Sequence, residues 1–279
     1  LLPDNSLIKL YEQSTANLYF FHNTITDKHS HPCLQLTISL HDILITLETD
    51  DENHHGFGFI IRSNIPHKLN TNKTCVINFL VEPEAPFFNL LSDFTKVNPV
   101  YLISKKQSLI LAQYFIHSVK NKCLFDIQHI ANLLHGSKTE YSYQQDNRIV
   151  KATSIISTLP IKLISSKELA AKVHLSESHF LHIFRAKLGI NFRGYLLWKR
   201  LRDATNNLES KSNLTTLAND KGFADVAHFS RTCLSSFGLR PSELKRALMP
   251  EDKSNEITSI DCFNNDHFQE EFKIIPILG

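Results

Sequence analysis

The sequence predicts an α+β chain, with a small β-barrel and dimerisation-type helices first and an all-α double helix-turn-helix domain after them. Three observations predict it. His179-Phe180, Phe184 and Gly189 recur 49 residues later, position for position, as His228-Phe229, Cys233 and Gly238, which marks an internal repeat. The hydrophobic period changes from two to 3.6 a little after residue 100. Charge is also unevenly placed. Between Arg148 and Pro250 there are 17 Lys+Arg against 7 Asp+Glu, a net of +10, whereas residues 1–146 carry −3 and 251–279 carry −5. A basic segment that holds paired helices points to nucleic acid.

With 279 residues, 42% of them hydrophobic, the chain can bury a sizeable core and is expected to form two domains. Residues 1–135 would be the regulatory or dimerisation domain, 136–146 a linker, 147–250 the DNA-binding domain and 251–279 an acidic tail. Five scattered cysteines with no C-x-x-C suit reduced thiols and argue against a disulfide framework or a zinc knuckle. No apolar run approaches 18 residues and no signal-peptide pattern opens the chain, so a cytoplasmic protein without a membrane partner is expected. The sequence holds no nucleophile context, phosphate-cradling glycine loop or paired-carboxylate motif, so an enzyme is not expected.

In chain order, short β-branched or aromatic runs occur at 17–21, Cys33 to Leu40, Ile43 to Leu47, Gly56 to Ile61 and Cys75 to Val81. Turn clusters separate them at roughly ten-residue spacing, as in a small sandwich or barrel. Asp50 to Asn53 fits a turn, and His54-His55 an exposed loop. Leu109, Ala112, Phe115, Ile116 and Val119 then share one helical face, and Ile127, Ile130, Ala131 and Leu134 a second. Two uses fit that pair: packing on the β domain, or homodimerisation through 107–134. The polar stretch from His135 to Gln145 reads as the linker.

An opening helix runs from Asn147 to Leu159 and stops at Pro160. Ser165-x-x-Glu168 is a capping box that starts a scaffold helix. His174-Leu175 is the turn, Ser176 caps the first recognition helix, and Gly189 ends it. Asn191 opens a longer helix to about Asn207, a strut of about 25 Å that could set two recognition helices one DNA turn apart. Leu214, Leu217 and Ala218 repeat the scaffold, Gly222 the turn, and Val226 to Ser236 the recognition helix, with Gly238 closing it and Pro241 opening a last helix.

The passage from Leu175 to Ala204, with Gly222-Phe223, His228-Phe229-Ser230-Arg231, Gly238 and Pro241-Ser242 after it, resembles the DNA-binding domain of the AraC/XylS family of transcription regulators. About 100 residues carry the likeness. Cys233 departs from it where phenylalanine is usual, and Lys245 where arginine is common. The resemblance implies a sequence-specific regulator of double-stranded DNA, usually an activator, with RNA polymerase as a partner. The faces opposite the buried ones show Ser178, Leu181, His182 and Arg185 on the first recognition helix, and Val226, Ala227, Ser230 and Arg231 on the second. These match the positions that read base edges in the family. Arg231 suits bidentate contact to a guanine, and Val226 and Ala227 suit thymine methyls. Lys187, Arg193, Lys199 and Lys221 are expected on phosphates.

The N-terminal region resembles the cupin-like barrel that many family members place before the DNA reader. His29-x-His31 and Pro66-His67 resemble the histidines with which cupins hold a metal. The cupin glutamate is missing, with Gln35 nearest. The expectation is therefore no metal and no cofactor, with the histidines on the barrel rim and loops. A small-molecule effector inside the barrel is expected instead, with Leu36, Phe57, Phe59 and Phe79 as walls. A cupin-type metalloenzyme fused to a DNA-binding module is the alternative, and a non-specific nucleoid protein a third. The acidic tail would screen the DNA face until displaced.

Overall fold

The computed structural model describes residues 7–136, 145–209 and 213–248; the acidic tail and most of the expected linker lie outside them. The N-terminal domain has nine strands: β1 (Leu7–Gln13), β2 (Ala16–His22), β3 (Leu34–Ser39), β4 (Ile45–Thr49), β5 (Asn53–Gly56), β6 (Gly58–Ile61), β7 (His67–Asn70), β8 (Cys75–Val81) and β9 (Val100–Leu102). They form an antiparallel sheet of order β1-β2-β8-β3-β6-β9 and a smaller one of order β5-β4-β7. Single bridges at Ile25–Asn70 and His29–His67 tie the connection between β2 and β3 to the edge strand β7. The expected barrel is thus two facing sheets, and no closed ladder runs through the described residues. Asn53 and His54-His55 pair with β4 and are strand, not turn and loop.

Every residue of β3 and β8 is buried, because both faces of the large sheet are covered. Leu34, Leu36 and Ile38 lie opposite Val81, Phe79 and Ile77 and share one face with them. On that side pack α1 (Phe88–Ser92), α2 (Lys105–Lys120) and α3 (Ile127–His135). The apolar stripe of α2 is rotated from the expected one: Ser108, Leu111, Ala112, Phe115 and Ser118 are buried, while Leu109, Ile116 and Val119 are half-buried. Small Ser108 permits this close approach by donating to the carbonyls of Ser39 and Phe57. The 107–134 pair therefore uses its main apolar faces on the β domain.

The helical domain follows as α4 (Asn147–Thr158), α5 (Ser166–Lys172), α6 (Glu177–Leu188), α7 (Phe192–Asn206), α8 (Leu214–Asp220), α9 (Val226–Phe237) and α10 (Pro241–Leu248). Side-chain oxygens of Ser165, Ser176, Asn191, Asn213 and Asp225 each accept a backbone N–H three residues on, which starts α5 to α9. Of the Ser165–Glu168 box the structure shows the serine half. Two cores result. Phe180, Phe184, Phe192 and Tyr195 fill the first with α4 and α5. Trp198, Leu201, Phe223, Phe229, Cys233 and Leu244 fill the second, which is continuous with Tyr19, Phe21, Leu47, Leu69 and Leu80 of the N-terminal domain. Helix α7 changes core halfway along its length.

Candidate nucleic-acid interface

Each unit sets a recognition helix against a scaffold helix through a turn that needs positive φ. His174 supplies it in the first unit (φ 59°) and Gly222 in the second (φ 77°). The caps Ser176 and Asp225 are 49 residues apart, but these two turn residues are 48 apart, so the second turn holds one more residue. Phe180, Phe184 and Leu188 anchor α6, and Phe229 and Cys233 anchor α9, with both leading phenylalanines 0% exposed. That anchoring fixes helix rotation and hence which side chains face outward.

On the outer side, Ser178, His182 and Arg185 of α6 are exposed, as are Ala227 and Arg231 of α9. His182 and Arg231 occupy equivalent positions in the repeat. Leu181 leans on the first core and Val226 on the second, and Ser230 is half-buried, so these three stand at the margins of the two faces. Lys187 and Arg193 are exposed. Lys221 pairs with Asp203 at 2.9 Å while remaining near the surface.

Lys199 is the correction. Its ammonium lies 3.5 Å from Glu82 and 2.5 Å from Glu84, with its side chain 15% exposed. Burial acts to lower its pKa, yet the two carboxylates outweigh this and hold it above the ordinary lysine value. It belongs to a seam between the domains and is not free to meet a phosphate. Trp198 Nε1 donates to Glu82 and Tyr195 Oη to Glu84, both at 2.8 Å. Arg202 pairs with Glu82 at 3.1 Å and donates to the carbonyls of Gln13 and Ser14 and to Asn17 Oδ1. Sequence reasoning passed over Arg202. Its signal was a cation three or four residues from Trp198 and Thr205, inside an apolar stripe.

The expected pocket walls also move. Leu36 and Phe79 pack towards α2 and α3, Phe59 faces the small sheet, and half-buried Phe57 lies beneath the Lys105 ammonium, so the four do not line one space. A cavity of about 40 Å³ lies elsewhere, between the domains. Tyr19, Phe21, His29, His31 and Gln35 form its floor, and Leu208, Phe237, Leu239 and Leu244 its roof.

The histidines expected on rims and loops are buried: His29 is 7% exposed, His31 5% and His67 1%. The bridge between His29 and His67 draws them inward, with both backbone hydrogen bonds at 2.9 Å. Burial pulls all three below the ordinary imidazole value, His67 to about 3.

The helix-turn-helix domain family matches residues 169–247. The Msm operon regulatory protein of Streptococcus mutans is 29% identical over 82 residues, which cover 29% of this chain and 30% of that protein. The chain thus spans under a third of that relative's length in the match. Among solved structures, ToxT from Vibrio cholerae superposes with a TM-score of 0.52 at 11% identity, covering 89% of this chain and 100% of that one. A second ToxT structure, bound to an unsaturated fatty acid, gives a TM-score of 0.51 at 11% identity over 86% and 98%. These two share the fold. The domain match falls on the same double unit that carries the Gly222-Phe223, His228 to Arg231, Gly238 and Pro241-Ser242 series, so the helix-turn-helix domain and the likeness to AraC/XylS transcription regulators rest on the same residues.

Proposed function

We propose that this chain is a sequence-specific DNA-binding transcription regulator, and that α6 and α9 enter the major groove. One observation carries the reading: both recognition helices bury their phenylalanine side and leave polar side chains, Arg185 and Arg231 above all, exposed on the other. An arginine fork matches the O6/N7 pair of guanine, while Ser178, His182 and Ser230 can make single hydrogen bonds. Few of the outward groups are long and polar, so phosphate contacts from Lys187, Arg193 and Lys221 and DNA shape supply much of the affinity.

Activation through RNA polymerase is an expectation of the resemblance, and pairing of two chains through 107–134 one of the apolar helix faces; both belong to the same proposal. Effector control belongs to it too, with the site moved. A small, mainly apolar molecule would enter between the domains, where the roof of the cavity is formed by the end of α9, by α10 and by Leu208 after α7. The fatty acid held by a protein of this fold is consistent with such an occupant. At about 40 Å³ the cavity holds a water or two, so a larger effector would have to part the domains.

The test is site selection from random duplexes, followed by binding of the selected site and of random DNA at one salt concentration. Arg231→Ala should weaken the selected complex by about 1–3 kcal/mol and relax one base position. Equal affinity of the unsubstituted chain for selected and random DNA would instead make it a non-specific binder.

A further inference from the structure

The geometry points to a binding site for one divalent transition-metal ion, of the zinc class, formed by His29, His31, His67 and Gln35 beneath the second helix-turn-helix unit. One ring nitrogen from each histidine lies within 4.8 Å of the others. Tetrahedral ligands at about 2.05 Å stand about 3.4 Å apart, so closure needs side-chain movements of roughly 1 Å.

Protonation fixes which nitrogens are free to bind. His29 Nδ1 lies 2.8 Å from the Asp27 carbonyl, His31 Nδ1 3.1 Å from that of Cys33, and His67 Nδ1 2.8 Å from that of Ile65. A carbonyl cannot donate, so each Nδ1 carries the hydrogen. Each neutral ring then presents a bare lone pair at Nε2. Backbone carbonyls that hold the far nitrogen are the usual outer support of metal-binding imidazoles.

The lone pairs meet another acceptor. Gln35 Oε1 is 2.9 Å from His31 Nε2 and 3.1 Å from His67 Nε2, while Gln35 Nε2 donates to Thr37 Oγ1. Acceptors facing acceptors repel in a buried site unless a cation lies between them. Turning the Gln35 amide over would give two rings a donor, but His29 Nε2 would still have no hydrogen bond among the described residues. The donors are uncharged imidazoles and an amide, which select a borderline metal over calcium or magnesium. The cavity adjoining His29, His31 and Gln35 has room for a water as a further ligand.

The site spans the two sheets: His31 precedes β3, Gln35 lies within it, and His67 opens β7. Its loop also holds the helical domain, since Asp27 N–H donates to the Gly238 carbonyl and Ser30 N–H to that of Ser235. A bound ion would therefore fix the platform on which α9 ends.

The experiment uses the full chain, stripped with a chelator and titrated with Zn²⁺, and with Co²⁺ as a spectroscopic probe. We expect one ion per chain retained through gel filtration, a visible Co²⁺ d–d spectrum, and a rise in thermal midpoint. His67→Asn should weaken binding about 100-fold. Substituting the β5 pair outside the cluster, His54→Ala with His55→Ala, should leave it unchanged. Gln35→Glu, which adds a charged oxygen ligand, should tighten it about tenfold, and serves if His67→Asn does not fold. A folded wild-type chain that retains no Zn²⁺, binding that disappears with His54 and His55, or Gln35→Glu that binds no tighter would overturn the assignment.

Discussion

The two helix-turn-helix units repeat one sequence pattern and end in opposite surroundings. Gly189 and Gly238 close their recognition helices at nearly the same left-handed φ, 68° and 67°. A Cβ on Gly189 would meet nothing within 4 Å, whereas one on Gly238 would fall 2.3 Å from the Asp27 carbonyl and 2.6 Å from His29 Nδ1. The first unit keeps a core of its own with α4, and the second shares one with the N-terminal domain. A duplicated motif has thus become two devices: one with a hydrophobic core of its own and one whose core the N-terminal domain completes.

The sharpest way to break the comparison is Arg202→Met. Glu82, 3% exposed, would keep only Trp198 and a more distant Lys199, and three acceptors of the N-terminal domain would lose their donor. We expect a loss of about 3–5 kcal/mol in urea unfolding, with part recovered when Glu82→Gln is added. A loss below about 1 kcal/mol would mean that this seam does not hold the second unit.

Gly238→Ala comes next. The added methyl must displace a backbone carbonyl and a buried imidazole, on top of the strain of positive φ. Together these cost about 2–4 kcal/mol. Hydrogen exchange should quicken at residues 27–31 and in α9 but not in α6. Faster exchange in α6 would show that the two units are not separable.

These effects also show what could be read from the chain alone. Helix starts, turns and buried faces of 165–248 were legible because capping residues and a 3.6-residue period are local chemistry, and the repeat tests each copy against the other. The core strands β2, β3 and β8 were legible as apolar runs. What escaped depends on contacts between distant segments. His67 opens a strand that no local apolar run announces, and its bridge to His29 joins residues 38 apart in the chain. Lys199 has the look of a surface cation until Glu82 and Glu84 arrive from the other domain. Ser108 turned α2 from its expected face because a small hydroxyl can satisfy a carbonyl inside a core.

A smaller effect sharpens the comparison between the packing positions. Cys233, 0% exposed, stands where the first unit has Phe184. If the repeat were equivalent in packing, Cys233→Phe would restore a common arrangement and stabilise. The second core is already filled by Trp198, Phe223, Phe229 and Leu244, so we expect overpacking instead, with a loss of about 1–3 kcal/mol by denaturant melt. A gain in stability would mean that the thiol leaves unfilled space.

The weakest substitution is the control on which the others depend. In Gly189→Ala the new methyl meets no atom, so only the left-handed backbone resists it, at about 1 kcal/mol. Part of that is offset because alanine restricts the unfolded chain more than glycine does. The same chemical change at the same φ should therefore cost several-fold less at 189 than at 238. The difference between the two melts isolates the docking contact from the backbone strain that both sites share. Equal losses would place the whole cost in the backbone and would leave the N-terminal domain without a grip on α9.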